Sequence, residues 1–245
     1  MRVLLAGGLG VIGRPLAILL RMHGHHVVGT TRYPSRVPEL EVLDLVPAVM
    51  NALDATSVEH TVAAAQPDVV IHQLTDLPKT YLPQEVDAAR ERNARLRIIG
   101  TANLMVAATK HSVPRIVAQS IAFVYAPGTS PHEETAPLDE QATDSTRVAV
   151  QGVVALERAV TETSGVHGIA LRYGRLYGHG TWFDERPEPP VVHPHAAAHA
   201  ALLALTRGRP GIYNIAEDDG AVSIARARNE LGFDPGFRLA AAPTY

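Results

Sequence analysis

Three glycines near the amino terminus, Gly7, Gly10 and Gly13, recur every third residue in the run AGGLGVIG. A sharp turn needs positive φ somewhere, which costs a residue with a side chain about 1 kcal/mol or more. A glycine in the middle of such a turn lets a ligand approach the backbone, and a last glycine lets the following helix pack closely on a sheet. The N–H groups at the helix start, near Val11 and Ile12, are then available to an anion. The apolar run Val3–Ala6 precedes the turn and Ile12–Met22 follows it with helical spacing. A glycine turn between a strand and a helix is the context in which a diphosphate, and so a dinucleotide, is bound.

The end of the second apolar run, His26–Thr31, carries the next piece of chemistry. An acidic residue there accepts hydrogen bonds from the ribose hydroxyls of NAD, but this chain has Thr31 followed by Arg32. A carboxylate would repel a ribose 2′-phosphate, whereas a guanidinium binds one through two parallel hydrogen bonds. With Arg36 in support, the expected cofactor is NADP(H); a solvated surface arginine is the alternative for Arg32.

The elements that must position these residues alternate in type. Asp68–His72, Pro114–Gln119, Gly168–Arg172 and Gly211–Ile215 read as strands, and Glu85–Lys110, Val148–Thr163 and Ser223–Leu231 as helices. Alternation of this kind predicts an α/β fold, a Rossmann-like doubly wound parallel sheet. No linker divides the 245 residues, so one dinucleotide-binding domain over 1–245 is expected. Two long loops, Ala126–Ser145 and Gly178–Pro190, are candidate lids or plain surface excursions. Trp182 and Phe183 in the second are expected either to close over an aromatic substrate or to anchor their loop.

Composition narrows the class. A formal net charge of -3 with 46% hydrophobic residues fits a soluble enzyme and speaks against nucleic-acid binding. No apolar run spans a membrane and none resembles a signal peptide, so a cytoplasmic location is expected. Cysteine is absent, which removes disulfides, thiolate catalysis and cysteine-ligated metals. His193, His195 and His199 have partly helical spacing, but Pro194 interrupts them and no carboxylate follows, so no metal is expected.

Several motifs together resemble the extended short-chain dehydrogenase/reductase superfamily, in its NAD-dependent epimerase/dehydratase branch. They are the opening turn, NALDATSV, PDVVIHQLT, ERNARLRIIGTANLM, VAQSIAFVYAPG, ALRYGRLYGHG, GIYNIAEDDG and ARNELGFDP. The resemblance implies that Asp54, with Ala55 adjoining, meets adenine, and that Gln73, Leu74 and Thr75 line the nicotinamide ribose. It implies further cofactor roles for Asn93, Tyr173 and Leu176. It also implies a catalytic Ser or Thr near Ser120, although Ile121 is a rival occupant of that position and a strand-end hydroxyl tied to the backbone is the plainer reading of Ser120.

The chain departs from this branch at its acid. The superfamily places a Tyr and, four residues later, a Lys on one helix; the hydroxyl protonates the carbonyl as hydride adds. None of the seven tyrosines here has Lys at the fourth following position, and the only lysines are Lys79 and Lys110. Aligned on Glu157, the helix has Ala149 and Val153 at those positions, with Gln151 one turn away as a substrate contact or a solvent-facing residue. The substrate domain is also shortened, to a cap or lid over 178–205.

The combination is similar to the atypical ketoreductases of simocyclinone-type aromatic polyketide (angucyclinone) antibiotic pathways. That similarity implies an NADPH-dependent ketoreductase acting on an aromatic ketone whose own hydroxyl assists protonation. The alternatives are a non-catalytic NADP(H)-binding regulator and a redox-neutral epimerase or dehydratase. A monomer or a homodimer is expected.

Overall fold

The computed structural model describes residues 1–78, 80–143 and 145–240. The chain runs β1 (Arg2–Ala6), α1 (Gly13–Met22), β2 (His26–Thr31), α2 (Val37–Val42), β3 (Val46–Val49), α3 (Ala55–Ala65) and β4 (Val69–His72). It continues with α4 (Pro83–Arg95), a π-type turn over Leu96–Gly100, α5 (Thr101–Lys110), β5 (Arg115–Ile121) and α6 (Ser145–Glu162). Then follow β6 (His167–Tyr173), β7 (Arg175–Leu176), β8 (Val191–Val192), α7 (Pro194–Leu203), β9 (Gly211–Ile215) and a last π-type turn over Ala227–Leu231.

Seven strands form one parallel sheet in the order β3-β2-β1-β4-β5-β6-β9. Central strands such as Val69–His72 are buried on both faces, as continuous apolar runs in a covered parallel sheet must be. One face packs Leu5, Ile71 and Val117 against Leu16 and Leu20 of α1 and the alanines of α7. The other packs Leu4, Val70 and Ile116 against Val58 and Val62 of α3, Leu104 of α5 and Leu156 and Val160 of α6. Each fully buried leucine contributes about 1.5–3 kcal/mol. Strand order reverses between β1 and β4, so the crevice outside their carboxyl ends is where a doubly wound sheet binds ligands.

The structure adds elements that the sequence pattern hides. Strand β3 contains Pro47, which removes a backbone donor; it is tolerated because β3 is the edge strand. Helix α7 is mostly core, with Ala196, Ala197, Ala198, Ala200 and Ala201 buried, and only the face of His195, His199 and Leu203 is partly open. The expected cap over 178–205 is corrected here. Its second half, α7, is core packed on α1, and only the loop before β8 remains as a lid candidate. The expected single helix Glu85–Lys110 starts earlier, at Pro83, and is widened by the π-type turn. Helices α4 and α6 pack closely at Gly152, where a Cβ would stand 2.8 Å from Ala94 Cα.

Candidate cofactor and active site

The glycine turn sits at the β1 end of the crevice. Gly7 has φ of 93°, and a Cβ there would lie 2.6 Å from the Gln73 carbonyl oxygen at the end of β4. A Cβ on Gly13 would come within 2.1 Å of the Gly7 carbonyl oxygen, so this glycine lets α1 begin against the turn. Gly10 differs. It is exposed, and within 4 Å its Cβ would meet only the Gly7 oxygen, at 3.3 Å. The open side of Gly10 is room for a ligand rather than for the protein. No acceptor among the described residues takes the N–H of Val11 or Ile12, and the first turn of α1 holds no acidic side chain. The arrangement fits a diphosphate: donors at a helix start, a close backbone approach and no competing carboxylate.

The ends of β2 and β4 flank this turn and are tied across it. Arg32 Nη1 pairs with Asp76 Oδ2 at 3.2 Å, and Arg92 lies 3.8 Å from the same carboxylate. Asn93 fixes that segment, accepting from the Asp76 N–H at 3.0 Å and donating to its carbonyl at 3.1 Å. Arg36 pairs with Glu39, which also holds Arg14. Asp54 caps α3 through the N–H groups of Thr56 and Ser57, directly before Ala55. Gln73 is buried and donates to the Tyr173 hydroxyl at 3.1 Å, while its Oε1 has no partner. Leu74 donates its N–H to His72 Nδ1 and accepts from Gln119, and Thr75 is exposed. Because Nδ1 accepts, the His72 proton lies on Nε2, 3.2 Å from the Thr101 hydroxyl. Burial, with the Arg97 charge added, pulls the His72 pKa down to about 4.

The β5–β6 half holds a different kind of polar chemistry. Ser120 was expected at the reaction centre, but it is 2% exposed and its hydroxyl donates to Glu157 Oε1 at 2.7 Å. Ser120 lies next to Ala118 beneath α6 and is spent on Glu157, while Ile121, at the strand end, packs against the cluster that Val150 and Val153 of α6 form with Val124. Glu157 also receives Arg172 through Nε and Nη2, both at 2.7 Å. Arg172 Nη1 reaches the Tyr125 hydroxyl, which donates to Asn214 Oδ1 at 2.6 Å. Glu134 of the first long loop accepts from the Asn214 N–H, so that loop is tied to the sheet. On α6, Ala149 and Val153 are buried, and Val153 clusters with Val124 and Val150. Gln151 is exposed.

The family model for the NAD dependent epimerase/dehydratase family matches residues 3–209. The chain belongs to that family. It is 41% identical over 232 residues to a Streptomyces 3-diazoavenalumate denitrifying reductase, covering 94% of this chain and 72% of the relative. Its fold resembles UDP-glucose 4-epimerase of Thermotoga maritima, with a TM-score of 0.77 at 17% identity, covering 97% and 94% of the two chains. It also resembles Bordetella bronchiseptica WbmG, solved with NAD and UDP, with a TM-score of 0.74 at 19% identity over 98% and 90%. The family is NAD-dependent, and the chain is an enzyme of its reductase or epimerase kind. No described helix is long and apolar enough to cross a membrane.

Within this epimerase/dehydratase frame, the loop after β7 meets the segment after β4. Trp182 Nε1 donates to the Pro78 carbonyl at 2.8 Å, and Tyr81 lies 5.4 Å from the Trp182 ring and 5.9 Å from the Phe183 ring. Leu176 is held in β7 opposite Val192. Among the histidines, His193 caps α7, and burial with the Arg238 and His195 charges holds its pKa down to about 4. Sequence reasoning missed Asp76, Tyr81, Phe123 and Arg175. Asp76 follows the quoted QLT directly, and an acid there could have been sought as a partner for Arg32.

Proposed function

We propose that this chain is an NADP(H)-dependent reductase that transfers hydride to an aromatic small molecule whose reduction takes no proton from the protein. The observation carrying the reading is the α6 face, where Ala149 and Val153 lie buried among apolar neighbours, in a sequence with no Tyr–Lys pair four residues apart. Ser120 is already committed to Glu157. Burial raises the pKa of the Tyr125 and Tyr173 hydroxyls, which makes them poorer acids.

In this reading Gly7, Gly10, Val11, Ile12 and Gly13 hold the diphosphate, Arg32 and Arg36 serve the 2′-phosphate, and Asp54 and Ala55 border the adenine. Gln73, Leu74, Thr75, Asn93, Tyr173 and Leu176 line the nicotinamide side, with Trp182 and Phe183 over the substrate. A bound reduced nicotinamide supplies the hydride. An aryl diazo substrate, the class named for the Streptomyces relative, suits such a site best. A carbon–hydrogen bond forms, the carbon–nitrogen bond breaks, and its electron pair leaves in dinitrogen. The balance, ArN2+ + NADPH → ArH + N2 + NADP+, contains no proton. Loss of a general acid, which costs an ordinary ketone reduction about 10²–10⁴-fold, costs this reaction nothing.

The same apolar face favours a second reading, the aromatic polyketide ketone whose neighbouring hydroxyl carries the proton. Deuterium transfer separates the two. With NADPH deuterated at C4, an aryl diazonium salt should give deuterium on the ring carbon and release dinitrogen. A hydroxyl-flanked ketone should give a deuterated carbinol only if the second reading holds, and its O-methyl ether should then react far more slowly. Tight coenzyme binding without turnover of either substrate would overturn the reductase reading.

A further inference from the structure

We infer that Arg175 and Phe123 form the substrate anchor of the crevice, taking the carboxylate of a planar aromatic acid. This rests on the aromatic substrate proposed above and adds the acidic group. Strands β5 and β6 end side by side, with Ile121 opposite Tyr173 and the Ala122 N–H donating to the Tyr173 carbonyl at 2.9 Å. Two residues beyond each strand end stand Phe123 and Arg175, above the carboxyl edge where open α/β sheets bind ligands. The Arg175 guanidinium carbon lies 4.7 Å from the Phe123 ring centroid, and Phe123 is 38% exposed.

The charge on Arg175 is left uncompensated. Its Nη1 donates to the main-chain carbonyls of Glu188 at 3.3 Å and Pro189 at 3.0 Å. No carboxylate among the described residues comes within ion-pair distance. Burial lowers its pKa, and the more distant Glu188 charge opposes this only in part. A partly buried cation without a counterion is unfavourable, and an arriving carboxylate reverses the deficit with charge and two parallel hydrogen bonds. Arg172, by contrast, is also buried but already spends its fork on Glu157. The exposed Phe123 ring supplies a flat surface beside the guanidinium on which an arene stacks.

A redox-inert pair of probes tests the anchor separately from the chemistry. Calorimetry with cinnamate and its neutral analogue cinnamamide, on NADPH-loaded protein, should show cinnamate binding about ten-fold tighter or more. Arg175→Gln should bring the two within about two-fold, Arg175→Lys should restore part of the preference, and Phe123→Ala should weaken both probes alike. Loss of a purely structural tie would not change the ratio of the two probes. Equal binding of the probes by the unaltered protein, or a preference that survives Arg175→Gln, would overturn the anchor. Cinnamate preference without diazonium turnover would sink the proposed reaction and leave the anchor standing.

Discussion

The two halves of the sheet treat their polar groups in opposite ways. At the β1 end, the Val11 and Ile12 N–H groups have no protein acceptor among the described residues, and Gly10 opens toward solvent. At the β5–β6 end, Ser120, Glu157, Arg172, Tyr125 and Asn214 satisfy one another in a buried chain of hydrogen bonds. Unsatisfied donors in a crevice are an invitation to a ligand; a closed network is a fastening. The contrast supports the proposed reading, in which the donors beside the glycine turn stay open to a coenzyme while the polar groups at the β5–β6 end are spent on one another. The sharpest tests are substitutions that should hurt folding in one half and binding in the other.

The largest effect is expected at Glu157. Replacing it with Ala strands the buried Arg172 guanidinium and leaves the Ser120 hydroxyl without its acceptor. Removing one partner of a buried ion pair costs about 3–5 kcal/mol. Urea denaturation should show that loss. A change below about 1 kcal/mol would mean that the network is not the fastening described.

His72 joins the halves, because it lies under α5 while its Nδ1 holds the Leu74 N–H at the crevice. Its folded pKa of about 4 is below the unfolded value of about 6.5. The unfolded chain therefore takes up a proton between those values that the native chain refuses. Stability from this group is complete above pH 6.5 and is lost as pH falls toward 4, by about 3 kcal/mol in all. Protonation would also break the Leu74 bond. His72→Asn keeps an acceptor for Leu74 and should remove this part of the acid sensitivity in denaturation curves at pH 7 and 4.5. An unchanged pH slope would refute the assignment.

Gly10 tests the other half. In Gly10→Val the Cβ meets only the Gly7 carbonyl oxygen, at 3.3 Å, which a small local shift relieves, so the melting temperature should fall by no more than about 4 °C. The side chain instead fills the diphosphate approach. Coenzyme Kd should rise by roughly two orders of magnitude, the scale of losing two charge-assisted hydrogen bonds. Comparable binding by the variant would move the cradle elsewhere.

These contrasts were unequally legible in the sequence. The glycine turn was readable because its spacing, strand and helix are all local. The order of the motifs carried the doubly wound sheet for the same reason. Ser120 and Ile121 stay rivals in the sequence because only the packed sheet shows that Ser120 is spent on Glu157 while Ile121 packs with Val150 and Val153 of α6. Helix α7 is mostly buried alanine with only His195 and His199 to mark an outer face, and Pro47 disguised an edge strand. Phe123 and Arg175 are 52 residues apart in numbering and meet only because β5 and β6 pair.

The smallest expected effect concerns coenzyme choice, at the seam between the two behaviours. The sequence offers Arg32 as a ligand for a 2′-phosphate or as a solvated surface arginine, and in the structure it is paired with Asp76, which also faces Arg92. Arg32 is about half exposed, so that pair is worth little on its own and can exchange partners at small cost. A dianionic phosphate would draw the guanidinium more strongly than Asp76 does, but Asp76 would remain nearby and repel it. Two substitutions should therefore act in opposite directions. Arg32→Ala should weaken NADPH binding about ten-fold and leave NADH within about two-fold, whereas Asp76→Asn should strengthen NADPH binding by a few-fold. Both are read by titrating each coenzyme against intrinsic Trp182 fluorescence or by calorimetry. If Asp76→Asn instead weakens NADH and NADPH alike, the carboxylate serves the ribose hydroxyls that both coenzymes share near Arg32, and the preference for the phosphorylated form is lost from this reading.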